Sequence, residues 1–428
     1  MKYIIILFIT LNCLTMLASQ ILEVKVSNTE QLMKAIAISE TDQIIQFNPG
    51  IYEFTTSPII DPFSGNGLEH LKDIEVTTGL HIKERSLEII GADRDSVIIK
   101  TNSGYGIFIE NCTRLVLKDL TITGGIRDQD GEATCAAVVV RNSNVEITGC
   151  IIRDNQGDFE KTIAGIGGII GREGALLNIH HNEIHDNSWD GVALYRGARA
   201  IIHDNLIYNG RGAGIGITWN AEADIYRNVI HHYWKGVGSF GTSRVAVKNN
   251  LIRDLRGWGI IATGESIMNC RNNFIYNIGN VGIAGWSEEA KIDICNNVII
   301  NCGIEEQWVA PLVGIWMNCK EGNYLIEKNL LSNNKEADFA FGYKPAEDQK
   351  KFTFLEERNL FENGFNFKIE SNKVELLVTK WGKGQILVKD PLNPELQELI
   401  GSKTAYGIYG GSYGDWDWNP DEKPFNNK

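Results

Sequence analysis

The sequence predicts an all-β solenoid, a parallel β-helix with coils of about 23 residues. Three observations lead there. One motif recurs seven times: Asn182-Glu-Ile184, Asn205-Leu-Ile207, Asn228-Val-Ile230, Asn250-Leu-Ile252, Asn273-Phe-Ile275, Asn297-Val-Ile299 and Asn329-Leu-Leu331, at intervals of 23, 23, 22, 23, 24 and 32 residues. Each of the first six is followed by Gly plus a β-branched residue: Gly191-Val192, Gly214-Ile215, Gly236-Val237, Gly259-Ile260, Gly282-Ile283 and Gly314-Ile315. Within each period apolar residues alternate, as in Gly191-Val-Ala-Leu-Tyr195 and Ala200-Ile-Ile-His-Asp204. Alternation over four or five residues means short strands. A fixed period in this range means repeats that bury their apolar faces only against their neighbours.

The recurring asparagine predicts an internal ladder of side-chain amides, one rung per coil. The recurring glycine predicts a turn at positive φ. A leucine-rich repeat is excluded, because its spaced leucines and helical segment are missing. The Asn-x-Ile and Gly-Ile/Val pattern resembles the right-handed parallel β-helix repeat of the pectin-lyase-like superfamily, over roughly residues 22–420. The resemblance implies a right-handed winding. That superfamily holds polysaccharide lyases, glycoside hydrolases, uronan epimerases and non-catalytic surface proteins, so the fold alone does not choose the reaction.

In chain order, residues 1–20 read as a signal peptide: Lys2, the apolar run Tyr3 to Leu11, then small Ala18 and Ser19. This predicts a secreted or periplasmic protein without a membrane span. Residues 21–428 read as one domain. Residues 22–60 read as an N-terminal cap, with a helix over Thr29 to Ala37 capped by Asn28 or Thr29, then strand, turn and strand through Gln43 to Tyr52. Irregular coils follow over 80–150, and regular ones over about 168–335. Insertions at Gly124 to Thr134, Asp154 to Ile166 and Glu305 to Leu312 project as loops and wall a binding face. Asn359-Leu-Phe361 reads as a last coil, and the tail Tyr406 to Trp418 as a C-terminal cover.

A formal net charge of −13 disfavours a nucleic-acid partner. Seven cysteines remain after the signal, an odd number without tight spacing, which argues against a disulfide framework. Cys150, Cys270 and Cys295 read as small core residues. His180 and His203 share one coil position and should stack.

Facing is assigned from the Gly-led strand. Val192 and Leu194 point in, so Ala193 and Tyr195 point out. The outward column Ala193, Gly216, Gly238 is bare. Tyr195, Arg196, Trp219, Arg172 and Glu173 border it on one side, and Asp190, Arg211, His232, Trp234, Lys235, Arg256 and Trp258 on the other. Small residues between polar and aromatic rims make a sugar-shaped trough; aromatics stack on pyranose faces, and Arg and Lys hold carboxylates. Arg172, Arg196, Trp219, His232, Trp234 and Trp258 are the expected substrate contacts.

The expected substrate is an anionic, uronate-containing polysaccharide, and the expected reaction β-elimination. That reaction needs a neutralised carboxylate, a base for the C5 proton and an acid for the leaving oxygen. Lys235 is the expected base, Tyr195 or His232 the acid, and Arg211 or Arg256 the carboxylate partner. Lys235 and Arg256, about one coil apart, also resemble the lysine–arginine pair of β-helix lyases acting on dermatan or alginate, though that family's acidic calcium-binding residues do not flank the lysine here. The competing enzyme is a glycoside hydrolase, which needs two carboxyls and finds candidates in Glu173 and Asp190. The third reading is a carbohydrate-binding surface protein without catalysis. No metal set and no certain cofactor are expected; the stretch Asp128-Gln-Asp130-Gly-Glu132 offers oxygen ligands for calcium, with a plain acidic turn as the competing reading.

Overall fold

In the computed structural model the chain winds through three long parallel sheets, which it visits in fixed order once per coil. The structure describes residues 22–342, apart from 39–41, 66, 69–71, 157–164 and 306–310, and short strand segments at 344–345, 360–361, 378–381 and 385–388. The expected signal peptide, most of the Asp154 to Ile166 insertion and the C-terminal cover lie outside these residues. A representative coil runs Arg199–His203 in the first sheet, Leu206–Tyr208 in the second and Ala213–Ile217 in the third. Coils already begin at Leu22–Val26, which pairs in parallel with Gln43–Phe47. The segment read as strand, turn and strand is thus part of the solenoid itself. Leu360–Phe361 continues the second sheet beside Leu330 and Leu331.

The core follows from period-two alternation. Val192, Leu194, Ile215, Ile217, Val237 and Ile260 point inward and are fully buried in one continuous apolar cluster. Helix Thr29–Ile38 adds Leu32, Ala35 and Ile36 to that cluster, and its first turn is closed by Asn28, whose Oδ1 accepts from Gln31 N at 2.9 Å.

The corner from first to second sheet holds only two residues, such as Asp204 and Asn205. The first takes positive φ (Asp204 54°, Arg227 53°, Asn249 57°). The second is the ladder asparagine, with Nδ2 of Asn205, Asn228 and Asn250 donating to Oδ1 of the next rung at 2.9, 3.1 and 3.0 Å. Each Oδ1 also accepts the backbone N–H of the preceding rung, as Asn250 does from Asn228 at 3.0 Å. These buried corner groups are thereby satisfied, as low-dielectric burial requires.

The repeated glycine has a different cause from the expected one. None of Gly191, Gly214, Gly236, Gly259, Gly282 and Gly314 takes positive φ. They are small because the second sheet lies on them: a Cβ on Gly214 would stand 2.4 Å from Ile230 Cγ2 and 2.9 Å from Gly236 O. The left-handed conformation falls instead on corner residues such as Asp186, Asn209, His232, Asp254 and Asn277.

His180 and His203 stack at 4.8 Å and 5°, and Tyr226 continues the pile at 4.9 Å. The seven described cysteines are free, and Cys150, Cys270 and Cys295 are buried. No helix among the described residues is long and apolar enough to cross a membrane.

Candidate active site

The outward face of the third sheet gathers most of the expected site residues. Strands Ala213–Ile217, Lys235–Ser239 and Trp258–Ala262 pair in register, so Ala213, Lys235 and Trp258 form one outward column and Gly216, Gly238 and Ile261 the next. Asp190 stands one coil before Ala213, whose N–H donates to Asp190 Oδ1 at 2.6 Å. A Cβ on Gly212 would meet that oxygen at 2.0 Å, so Gly212 leaves room for the carboxylate. Asp190 leans over the glycine floor: a Cβ on Gly216 would lie 3.3 Å from its Oδ2. Lys235 leans over the same floor from the other side, with its Cδ 3.6 Å from a Cβ on Gly238.

Lys235 Nζ sits 4.3 Å from the ring centre of Trp234 and 5.9 Å from that of Trp258. Burial among these rings lowers its pKa below the ordinary lysine range, against the opposing pull of Asp190. Burial also lifts the Asp190 carboxyl, to about 6, although the Ala213 N–H and Lys235 favour its ionised form. Tyr195 is pushed up by burial first and then by Asp190, so its phenol holds its proton. An amine of lowered pKa, a phenol and a carboxyl thus share one glycine-floored shelf.

Beside the shelf, at the corner from second to third sheet, lies a cleft of about 620 Å³ lined by Arg211, His232, Arg256, Asp186, Asp254 and Glu305. The guanidinium of Arg256 is anchored on the carbonyls of Gly210 and Arg211 at 3.0 and 3.1 Å. That of Arg211 lies 4.8 Å over the ring of Trp189. Gln156 and Glu305, each near the start of a predicted insertion, are among its walls.

The shelf is closed along the solenoid axis on both sides. On the N-terminal side, the antiparallel hairpin of Ser57–Ser64 and Lys72–Lys83 is clamped to the sheet. Arg196 donates to the carbonyls of Gly65 and Phe63 at 2.6 and 3.1 Å. Arg172 is fully buried, donates to Phe63 O at 3.0 Å and pairs with Asp61. Burial alone would raise the Asp61 carboxyl; Arg172 and the hydroxyl of Tyr105 outweigh it and hold Asp61 below the usual carboxylate range. On the C-terminal side, Trp258, Trp286 and Trp316 meet edge to face at 5.8 and 4.9 Å and cover Val281, Ala284 and Val313.

The model of the family described as "Right handed beta helix region" matches residues 77–232 and 164–331, more than half of the chain. The chain belongs to this right-handed β-helix family. No curated protein sequence matches it. Among solved structures it is similar to the PL6 family alginate lyase AlyGC, at 13% identity and a TM-score of 0.44, over 94% of this chain and 59% of the lyase. It is likewise similar to the PL6 family polysaccharide lyase Pedsa3628 from Pseudopedobacter saltans (12% identity, TM-score 0.41, 86% and 99% of the two chains). A third is the periplasmic alginate epimerase AlgG (14% identity, TM-score 0.42, 79% and 82%). The chain thus spans less than two thirds of the first of these, and at such identities the likeness speaks to fold.

Within this β-helix, all the expected site residues but Trp219 and Trp258 fall into three groups. Lys235, Asp190, Tyr195 and Trp234 meet on the shelf. Arg211, His232 and Arg256 line the adjoining cleft. Arg172, Arg196 and Glu173 belong to neither, and here the expectation is corrected: Arg172 and Arg196 hold the hairpin, and Glu173 Oε1 accepts from Arg196 at 2.5 Å while its Oε2 lies 3.4 Å from Arg172. Those charges are consumed within the fold. Trp258 is 4% exposed, so it serves as a wall and not as a stacking face. Trp219 stands at the outer rim, edge to face with Phe240 at 4.9 Å. The calcium reading of Asp128 to Glu132 is replaced by a hydrogen-bonded turn. Asp128 accepts from Thr77 N and Oγ1, and Asp130 Oδ1 from Glu132 N at 2.9 Å. Among the described residues no group of three or more His, Cys, Asp or Glu is arranged to hold a metal ion. The role of Trp189 under Arg211 was not read from sequence; its place directly before the outward Asp190 was the available signal.

Proposed function

We propose that this protein is an exported lyase that cleaves a uronate-containing polysaccharide by β-elimination. One observation carries the reading: Lys235 is an amine of lowered pKa, set in aromatic rings over a glycine floor, with two arginines in the cleft alongside. Lowering an amine's pKa moves it toward the range in which it can serve as a general base. The wall of Trp234 and the bare Gly216 and Gly238 suit the flat body of a pyranose.

In the proposed reaction Arg211 and Arg256 pair with the uronate carboxylate and make the C5 proton more acidic. Lys235 takes that proton. The C5–H electrons form the C4=C5 double bond as the C4–O bond breaks, and the leaving oxygen takes a proton from Tyr195. His232, exposed in the cleft, is the alternative donor. Asp190 stabilises the ammonium formed on Lys235, in keeping with its upward pull on that pKa.

The hydrolase reading finds support in Asp190, whose carboxyl near 6 suits a general acid. Its expected partner, Glu173, is tied to Arg172 and Arg196. The three outward columns from Asp190 to Trp286 contain no carboxylate besides Asp190.

The deciding experiment incubates the purified protein with alginate, pectate, glycosaminoglycans and ulvan. Ultraviolet absorbance of the unsaturated product and new reducing ends are followed together. Both signals rising, and both lost in Lys235→Ala, support elimination. New ends without absorbance sink it in favour of hydrolysis.

A further inference from the structure

We infer that this chain attacks its polysaccharide from the end and releases short fragments, an inference that rests on the reading of the shelf as the active site. A β-helix groove open along its axis lets a long polymer lie across many coils. This one is not open. The clamped hairpin reaches as far as Arg196, directly after Tyr195. The outward residues of the coils beneath it are lost to solvent: Phe108, Val139 and Ile170 are at most 4% exposed. Past Gly238 the tryptophan row takes over, with Ile261, Ala284 and Trp316 likewise buried.

Among the described residues the accessible stretch therefore runs from the coil of Tyr195 to that of Phe240, two coil intervals or about 10 Å at the usual strand spacing. That is room for about two sugar units along the axis. The third side carries the Trp219 and Phe240 rim, where Phe240 is 44% exposed and stands up from the sheet. The fourth side opens into the cleft of Arg211, His232 and Arg256. A blind shelf entered from one side receives a terminus more readily than the middle of a polymer. Tyr195 lies at its inner end and Lys235 at its mouth, so the scissile bond falls close to the chain terminus.

The test uses the full chain, a high-mass uronan that it cleaves, and size-defined oligouronates from the same polymer. Viscosity and fragment length are followed from the earliest conversion. The inference predicts retained viscosity while fragments of one small size accumulate, and an oligomer labelled at one end cut at a fixed distance from a terminus. An early collapse of viscosity with a ladder of sizes overturns it. Fragment length reads elimination and hydrolysis alike, whereas the lyase reading fails separately, by absence of the unsaturated chromophore. Absence of cleavage on every polymer overturns both. As a second handle, Phe240→Ala lowers the rim, and a broader range of early fragments is expected; an unchanged pattern in a variant that cuts internally from the outset removes the rim from the argument and the inference with it.

Discussion

Asp190 and Lys235 flank Ala213 on the third sheet: Ala213 donates its N–H to Asp190 and pairs in register with Lys235. The two side chains lean over adjacent glycines, and each shifts the other's pKa toward the charged form. The pair yields the first prediction. Asp190→Asn removes the one influence that raises the Lys235 pKa, so that pKa falls further. The acidic limb of the pH profile of kcat/KM should move to lower pH. A limb that stays in place would show that Lys235 is not the titrating base.

Two glycines of the same sheet should respond in opposite ways. In Gly214→Ala the new methyl meets Ile230 and a backbone carbonyl well inside contact distance, costing about 1–3 kcal/mol in urea unfolding. In Gly238→Ala the nearest atoms are at 3.6 and 3.7 Å, so stability should hold. The methyl stands on the shelf floor, and a raised KM is expected.

The asparagine ladder should be costly to break. Asn228 donates to Ile202 O, Tyr226 O and Asn250 Oδ1, and accepts from Asn205. Asn228→Ala leaves several of these groups buried and unpaired. A loss of about 3 kcal/mol is expected by denaturant titration, at the upper end for unsatisfied buried polar groups.

Arg172→Met tests whether that residue is structural. Removing it takes one of two guanidinium partners from the buried Asp61 of the hairpin, which keeps Arg141 at 3.0 Å, so a loss of about 1–3 kcal/mol is expected in urea unfolding. Lys235→Ala, by contrast, should unfold near the native midpoint while activity falls by about 10²–10⁴-fold.

Stability should also depend on pH. Burial lowers the pKa of His180, His181 and His231 below 6.5. The unfolded chain therefore takes up protons first, and stability present above about pH 6.5 is lost as the pH falls toward the folded values. Asp190, raised to about 6, works in the opposite sense over part of that window. Replacing His231 with Gln should flatten the decline seen between about pH 7 and pH 5 by urea midpoints, and Asp190→Asn should steepen it.

Much of the fold was legible because each coil repeats one local bargain. Asn205 and its equivalents, the inward Ile215 and Ile217 and the stacked His180 and His203 needed only period and parity. The glycine column was placed correctly but explained wrongly, since close packing by Ile230 is a contact between sheets that no single strand reveals. Lys235, Asp190 and Tyr195 were legible as an outward cluster. Arg172 and Arg196 were not separable from them, because their partners Asp61, Phe63 and Gly65 lie more than a hundred residues away in sequence, and Glu173 goes with them as the carboxylate between the two arginines. Alternation says which way a side chain points; it does not say what folds back over it.

The corner from second to third sheet carries one more consequence. Five successive coils each place a left-handed residue there: Asp186, Asn209, His232, Asp254 and Asn277 in turn. These same residues line the cleft. The backbone geometry restricts the alphabet to side chains that tolerate it, mostly Asn, Asp and His, which are also hydrogen-bonding groups. Exchanging one for another changes a single rung of the cleft and leaves the winding intact. A lineage built on this scaffold can therefore rewrite the hydrogen-bonding face of the cleft letter by letter, without ever having to redesign the rod that displays it.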